Sequence, residues 1–84
     1  MDATITVTGN LGSEVDLRTG PNNEWAFAAF RLASTPRVLR SGSWRDGDTT
    51  WLNINCRNRS LSLNVAASLA KGDPVVVTGR LSTW

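Results

Sequence analysis

Hydrophobic and polar residues alternate over positions 4–11 of the chain. Ile5 and Val7 would face one side of a β-strand there, and three threonines would face the other side. Gly9 and Gly12 interrupt this pattern, and a glycine within a strand is typical of a bulge or of a bend in a barrel. The pattern therefore predicts a half-buried, bent first strand. Its outward side consists of Thr4, Thr6 and Thr8.

Three later runs alternate in the same way, and turn-forming residues bound them. The first strand resumes near Leu17 before a turn at 19–23, and the second run covers 25–34. The third run covers 50–57, and the fourth begins at Pro74. The period of two assigns one face of each run to the core. The predicted core residues are Ala28, Phe30, Leu32, Leu52, Ile54, Cys56, Val75, Val77 and Leu81.

A helical pattern separates the third and fourth runs. Its apolar stripe consists of Leu61, Val65 and Leu69. This spacing indicates one face of an amphipathic helix. A serine at position 60 or 62 would cap its start, and Lys71 followed by Gly72 is typical of a helix end.

The predicted order is strand, strand, strand, helix, strand. The OB-fold, a five-stranded Greek-key barrel, has this order, with its helix between the third and fourth strands. The sequence thus predicts an all-β fold with one short helix, in which the fifth strand of the barrel is missing. A chain of 84 residues is expected to form a single domain, here 1–84.

The outward positions of these runs have an unusual composition. An ordinary solvated sheet face contains mainly Thr, Lys and Glu, whereas these positions combine tryptophan, phenylalanine and arginine. They include Trp25, Phe27, Arg31, Trp51, Asn53, Asn55, Arg57, Arg80 and Trp84. Aromatic rings stack on bases, arginine contacts phosphates, and asparagine can bind base edges. The pattern favours nucleic-acid binding. A protein–protein interface is the alternative, because Trp and Arg are also enriched there.

A basic segment over 35–49 interrupts the strand pattern, and we expect a mobile hairpin loop there. Trp44 lies beside Arg45 in this segment. A loop tryptophan can pack onto the protein, or it can fold over a bound strand. The same two possibilities apply to Trp25, which begins its run and could cover one end of a barrel.

The composition limits the chemistry of the chain. Its nine basic residues are eight Arg and one Lys, against seven Asp and Glu, which gives a net charge of +2. No histidine is present, which excludes Ser-His-Asp catalysis and imidazole metal ligands. The lone Cys56 can form no intrachain disulfide, and its apolar run favours a buried, inert thiol. We therefore expect a protein that is not an enzyme and needs no metal or cofactor. No apolar stretch approaches the ~18 residues of a membrane span, so a soluble cytoplasmic protein is expected.

Motifs along the whole chain resemble the bacterial single-stranded-DNA-binding protein family. They are TGNLG at 8–12, DLR at 16–18, AFAAFRLASTPR at 26–37, GSWRDG at 42–47, NVAASLAKG at 64–72 and VTGRL at 77–81. Each motif is unspecific by itself, but their order and spacing together are specific. The resemblance implies an OB-fold that binds single-stranded DNA without sequence preference during replication, repair and recombination. It also implies a nucleoid-associated homotetramer built as a dimer of dimers.

The resemblance assigns roles to individual positions. The family's stacking aromatic in the third strand falls on Trp51, and Arg57 occupies a place where the family often has another aromatic. Trp84 lies close to the family's aromatic in the fourth strand. The predicted nucleic-acid-binding residues are Trp44, Trp51, Trp84, Arg57, Arg31, Arg80, Asn53, Asn55, Arg18 and Phe27. An OB-fold scaffold subunit of a protein assembly, such as one for replication restart, remains the alternative, and RNA binding is a third possibility.

The family continues beyond the region matched here, through a fifth strand and a flexible tail with an acidic tip that recruits repair and replication enzymes. Partners of that tail are therefore not expected for these 84 residues. The first strand would keep an open edge with neither Pro nor Lys to protect it. We expect this edge to form a two-fold dimer through Thr4, Thr6 and Thr8.

Overall fold

The computed structural model describes residues 3–34 and 37–82, and this part of the chain contains seven strands and one α-helix. They are β1 (Ala3–Leu11), β2 (Asp16–Thr19), β3 (Ala26–Ser34), β4 (Arg37–Arg40), β5 (Ser43–Asp46), β6 (Thr50–Cys56), α1 (Arg59–Ser68) and β7 (Pro74–Leu81). A 3₁₀ turn at Pro21–Asn23 occupies the predicted turn between β2 and β3. The mostly β fold with one helix is as predicted from the sequence.

The central strand of the main sheet is β3, which has partners along both edges. One edge pairs antiparallel with β6, from Ala28 opposite Cys56 to Ser34 opposite Thr50. The other edge pairs first with β2 and then with the end of β1. All of these ladders are antiparallel, so side chains opposite each other share a face.

A second long ladder joins β1 to β7 over the whole stretch from Ala3 to Asn10. By contrast, β3 pairs with only Asn10 and Leu11 of β1. β7 covers one edge of β1, and among the described residues the other edge has no ladder partner over 3–9, so this part of the first strand has the open edge that the sequence predicted. Within the described residues no ladder joins β6 to β7, so these ladders do not close a barrel.

Gly9 lies where β1 passes over β3. A Cβ at this position would be only 2.4 Å from the Ala33 carbonyl oxygen. Any side chain here would force the two backbones apart. The glycine that interrupts the strand pattern therefore permits a close approach between two strands.

The core lies on the inward faces of the sheet and under the helix. Its buried members are Leu11, Ala28, Phe30, Leu32 and Cys56. Partly buried residues pack against them, namely Val7, Val15, Leu52, Ile54, Val65, Leu69, Val75 and Val77. The prediction for Leu81 was wrong, since this residue is 43% exposed. It pairs with Ala3 at the end of the β1–β7 ladder, four positions beyond the packed Val77.

Helix α1 begins earlier than predicted. Its N-cap is Asn58, whose side-chain oxygen accepts a hydrogen bond from the Leu61 amide at 2.9 Å, so neither predicted serine is the cap. The inward position of the first turn is Ser62 rather than Leu61. Ser62 is fully buried and donates to the Cys56 carbonyl oxygen at 2.9 Å. Leu61 is 52% exposed, which corrects the predicted stripe.

The end of α1 also differs slightly from the prediction. The helix ends at Ser68, before Lys71 and Gly72. Gly72 adopts a φ of +96°, and its amide donates to the Leu11 carbonyl oxygen at 2.8 Å. A positive φ favours glycine, so Gly72 shapes the loop that leads into β7. No helix among the described residues is long and apolar enough to span a bilayer.

The basic segment forms a hairpin, as the sequence predicted, and its two arms are paired strands. Strands β4 and β5 pair antiparallel around Ser41 and Gly42, whose φ angles are +52° and +78°. Positive φ at both central residues belongs to the two-residue turns that match the twist of paired strands. This hairpin is a separate two-stranded sheet and shares no ladder with the main sheet in the described residues.

Candidate nucleic-acid interface

The outward sides of β2, β3 and β6 form one continuous surface. In the ladders, Asn53 lies opposite Arg31 and Phe27 lies opposite Arg18, so each pair shares the outward face. Trp51 lies opposite the small Ala33 at the end of the same row. We call this surface the aromatic–arginine face. It consists of Arg18, Phe27, Arg31, Trp51, Asn53, Asn55 and Arg57, all of them exposed.

Trp51 is fixed in position although its side chain is half-exposed. A Cβ added to Gly12 would lie 2.3 Å from Cζ3 of the indole, so the edge of the six-membered ring rests against the Gly12 backbone. The guanidinium carbon of Arg31 lies 4.6 Å from the centroid of the Trp51 ring, within cation–π distance. An exposed ring held in this way can stack on a planar ligand with little further loss of conformational freedom.

Phe27 and Trp25 form an aromatic pair. Their ring centroids are 5.3 Å apart and their planes are inclined by 35°. The Trp25 indole lies against Gly20, where a Cβ would be 2.2 Å from Nε1. Trp25 thus packs over the turn between β2 and β3, which favours the packing interpretation of this residue. Phe27 is 51% exposed and belongs to the face itself.

A shallow depression lies beside Phe27. Arg18, Asn55 and Arg57 line it together with Asp16. The Nε atom of Arg18 is 3.5 Å from the Asp16 carboxylate, but both side chains are more than half exposed, so this ion pair stabilises the fold little. The face contains three arginines, and the neighbouring carboxylate is that of Asp16. This surface is therefore positively charged.

The Cys56 thiol lies beneath this surface and not on it. Its side chain is buried in the core, and burial raises the pKa of the thiol. The buried position predicted for this thiol is confirmed, and a raised pKa favours its protonated form. Among the described residues no group of three or more Cys, Asp or Glu side chains is arranged to hold a metal ion.

The remaining predicted residues lie elsewhere. Arg80 is opposite Thr4 on the outer side of the β1–β7 ladder. Thr4 lies six positions before Asn10, where β1 meets β3, and six steps of extended strand span roughly 20 Å. Trp44 lies on β5 and is 62% exposed. Trp84 lies outside the described residues.

Two contributors to the face were missed in the sequence. Gly12 supports the Trp51 ring, although the pattern identified it only as a strand interruption. The Ser13 hydroxyl accepts a hydrogen bond from the Arg31 amide at 3.0 Å, and the Gly12 amide donates to the Arg31 carbonyl oxygen at 2.7 Å. Both contacts join segments 18 or more residues apart, so no local pattern could reveal them.

Known proteins resemble this chain in sequence and in the fold described above. The model of the single-strand binding protein family matches residues 2–84. The chain belongs to that family. A single-stranded DNA-binding protein of Mycolicibacterium smegmatis is 48% identical over 82 residues, covering 95% of this chain and 48% of that protein. The chain therefore spans about half the length of the curated relatives it matches.

Solved structures of the family have the same fold. The small single-stranded DNA-binding protein of Streptomyces coelicolor superposes with a TM-score of 0.80 at 35% identity, over 95% of this chain and 71% of that one. A mitochondrial single-stranded DNA binding protein from S. cerevisiae gives a TM-score of 0.74 at 28% identity, over 96% and 80% of the two chains. These similarities confirm the resemblance seen in the sequence.

Proposed function

We propose that this chain binds single-stranded DNA without sequence preference through the aromatic–arginine face, and that it protects unwound strands during replication, repair and recombination. The observation that supports this most directly is Trp51, a half-exposed ring held rigidly on a positively charged sheet surface. Family membership supports the same substrate. Binding needs no metal or cofactor.

Stacking and charge neutralisation would act together in this mechanism. Bases would stack on Trp51 and Phe27, because every base has a π-face and stacking is therefore tolerant of sequence. Arg18, Arg31 and Arg57 would neutralise phosphates, and the asparagines of β6 would contact base edges. At Arg57 an arginine would replace a stacking aromatic, which lowers the stacking contribution but adds a charge. Trp44, Trp84 and Arg80 would extend the path of the strand beyond this face.

A fluorescence titration tests this function. Adding an unstructured dT oligonucleotide should quench tryptophan emission, because stacked bases quench the indole. With three arginines on the face, log K should fall against log salt with a slope of about −2, since each phosphate contact on a single strand contributes about −0.7. Unchanged emission at low salt would contradict the proposal. If a scaffold role were correct, the oligonucleotide would not bind and a protein partner would.

We also propose that residues 1–84 form one OB-fold domain, in which the described strands make up an open barrel. The element order supports this, as do the similar structures. The edge of β6 that does not pair with β3 has no ladder partner among the described residues, and neither does the edge of β7 away from β1. A fifth strand between these two edges would complete the barrel.

A two-fold dimer through β1 is the assembly we propose, with two such dimers stacking into a tetramer. The edge of β1 over 3–9 that is not paired with β7 has no strand partner in the described residues. Unprotected edges pair readily with a second copy. Two copies of β1 related by a two-fold axis would bring Thr4, Thr6 and Thr8 of both chains together.

Replacing Thr6 with lysine should weaken this dimer. Like charges facing each other across paired strands cost about 0.2–1 kcal/mol per pair, which raises the dissociation constant up to several-fold. Thr78→Lys is the matched control, because the Thr6 and Thr78 hydroxyls lie 3.0 Å apart on the same ladder, and either change removes that contact. Sedimentation should show more monomer for Thr6→Lys only. An unmodified chain that sediments as a monomer at micromolar concentration would contradict the dimer.

A further inference from the structure

The guanidinium of Arg31 occupies the place on Trp51 where a base would stack. Its central carbon lies 4.6 Å from the ring centroid. A base stacked on that side of the indole would need the same space, because the centroids of stacked rings lie about 4.5–7 Å apart. Arg31 and an incoming base therefore cannot both contact this face of the ring.

Hydrogen bonds hold the backbone of Arg31, whereas its side chain is exposed. The Arg31 amide donates to the Ser13 hydroxyl at 3.0 Å, and its carbonyl oxygen accepts from the Gly12 amide at 2.7 Å. Among the side chains that the structure describes, no carboxylate forms an ion pair with the Arg31 guanidinium. Contact with the Trp51 ring is thus the interaction that positions the guanidinium, and it can be exchanged for another anionic or aromatic partner.

We propose that Arg31 covers the stacking face of Trp51 in the free protein, and that an incoming base displaces it onto the neighbouring phosphate. This inference rests on the proposed DNA binding. Displacement exchanges a cation–π contact for a base stack and a phosphate contact. Arg31 therefore lowers the gain from stacking while it adds a salt-dependent contribution to binding.

Arg31→Ala should consequently change the salt dependence as well as the affinity. Losing one phosphate contact makes the slope of log K against log salt shallower by about 0.7. Between about 50 mM and about 500 mM salt, the ratio of variant to unmodified Kd should then fall about fivefold. At the high-salt end the variant should bind about two- to fivefold more tightly than the unmodified chain, since its base need not displace a cation. The plots of log K against log salt for the variant and for the unmodified chain should therefore cross.

Arg57→Ala is the matched control. Arg57 lies on the same face but lines the depression beside Phe27 and makes no contact with Trp51. Its loss should make the slope shallower by the same amount of about 0.7, without any gain in affinity at high salt. Lines that cross for Arg31→Ala but not for Arg57→Ala would support the displacement.

A spectroscopic measurement follows Arg31 directly. In the free protein the Nε–H resonance of Arg31 should be shifted upfield by the Trp51 ring current, and Trp51→Phe should reduce that shift. Saturating dT oligonucleotide should remove it. The displacement would be overturned if the resonance shift persisted in the complex. It would also be overturned if Arg31→Ala raised Kd by the same factor at every salt concentration. Absence of binding by the unmodified chain would contradict the proposed function, whereas the resonance shift of the free protein would be unaffected.

Discussion

Trp51→Ala should weaken binding of a dT oligonucleotide by about 1–3 kcal/mol, which is roughly a 5- to 150-fold increase in Kd. The indole is 51% exposed, rests against the Gly12 backbone and lies in the row that continues through Arg31 and Asn53. Alanine at this position removes the stacking surface and leaves the arginines in place. The salt slope of binding should therefore remain close to that of the unmodified chain, while affinity falls at every salt concentration.

Trp25→Ala is the matched control for this experiment. Trp25 is exposed to a similar extent, 45%, but its ring packs on Gly20 and Phe27 at the end of the sheet. Its removal should change oligonucleotide affinity far less than the removal of Trp51. Trp51→Phe should retain part of the affinity, because a smaller ring still stacks. Equal affinities for Trp51→Ala and the unmodified chain would show that the bases bind elsewhere.

Gly9→Ala should lower the free energy of unfolding by about 1–3 kcal/mol, the usual cost of overpacking. Its Cβ would lie 2.4 Å from the Ala33 carbonyl oxygen and 3.0 Å from the carbonyl carbon. These are backbone atoms of the central strand, so the contact cannot be relieved by rotating a side chain. Either β1 or β3 must move. For a small domain a loss of this size is a large part of the total stability.

Gly79→Ala provides the comparison, because Gly79 lies in the same ladder, opposite Ile5. A Cβ there would meet nothing within 4 Å, and the residue has no positive φ. Alanine should be neutral at this position, or stabilise by about 0.4–1 kcal/mol by restricting the unfolded chain. Urea unfolding of the two variants measures the difference. Equal unfolding midpoints for both would show that β1 does not pass close to β3.

The faces of the strands could be read from the sequence because side chains alternate along any extended chain. Phe30 and Leu32 are buried as expected, and Phe27 and Arg31 lie on the opposite side. The start of the helix was harder to predict, since Asn58, Ser60 and Ser62 are all good capping residues. Asn58 is the cap, since its side-chain oxygen accepts a hydrogen bond from the Leu61 amide, and Val65 and Leu69 pack against the core.

The amino-acid sequence by itself thus determined the element order, the two faces of each strand and the residues available for stacking and charge. These follow from periodicities of two and 3.6 residues, which are local properties of the backbone. Only the tertiary structure decided which residues meet across ladders and turns. It brings Gly12 and Arg31 to Trp51, and it separates Arg80 from the aromatic–arginine face. The register between distant strands depends on hydrogen bonds and packing across the whole sheet, and no local pattern contains that information.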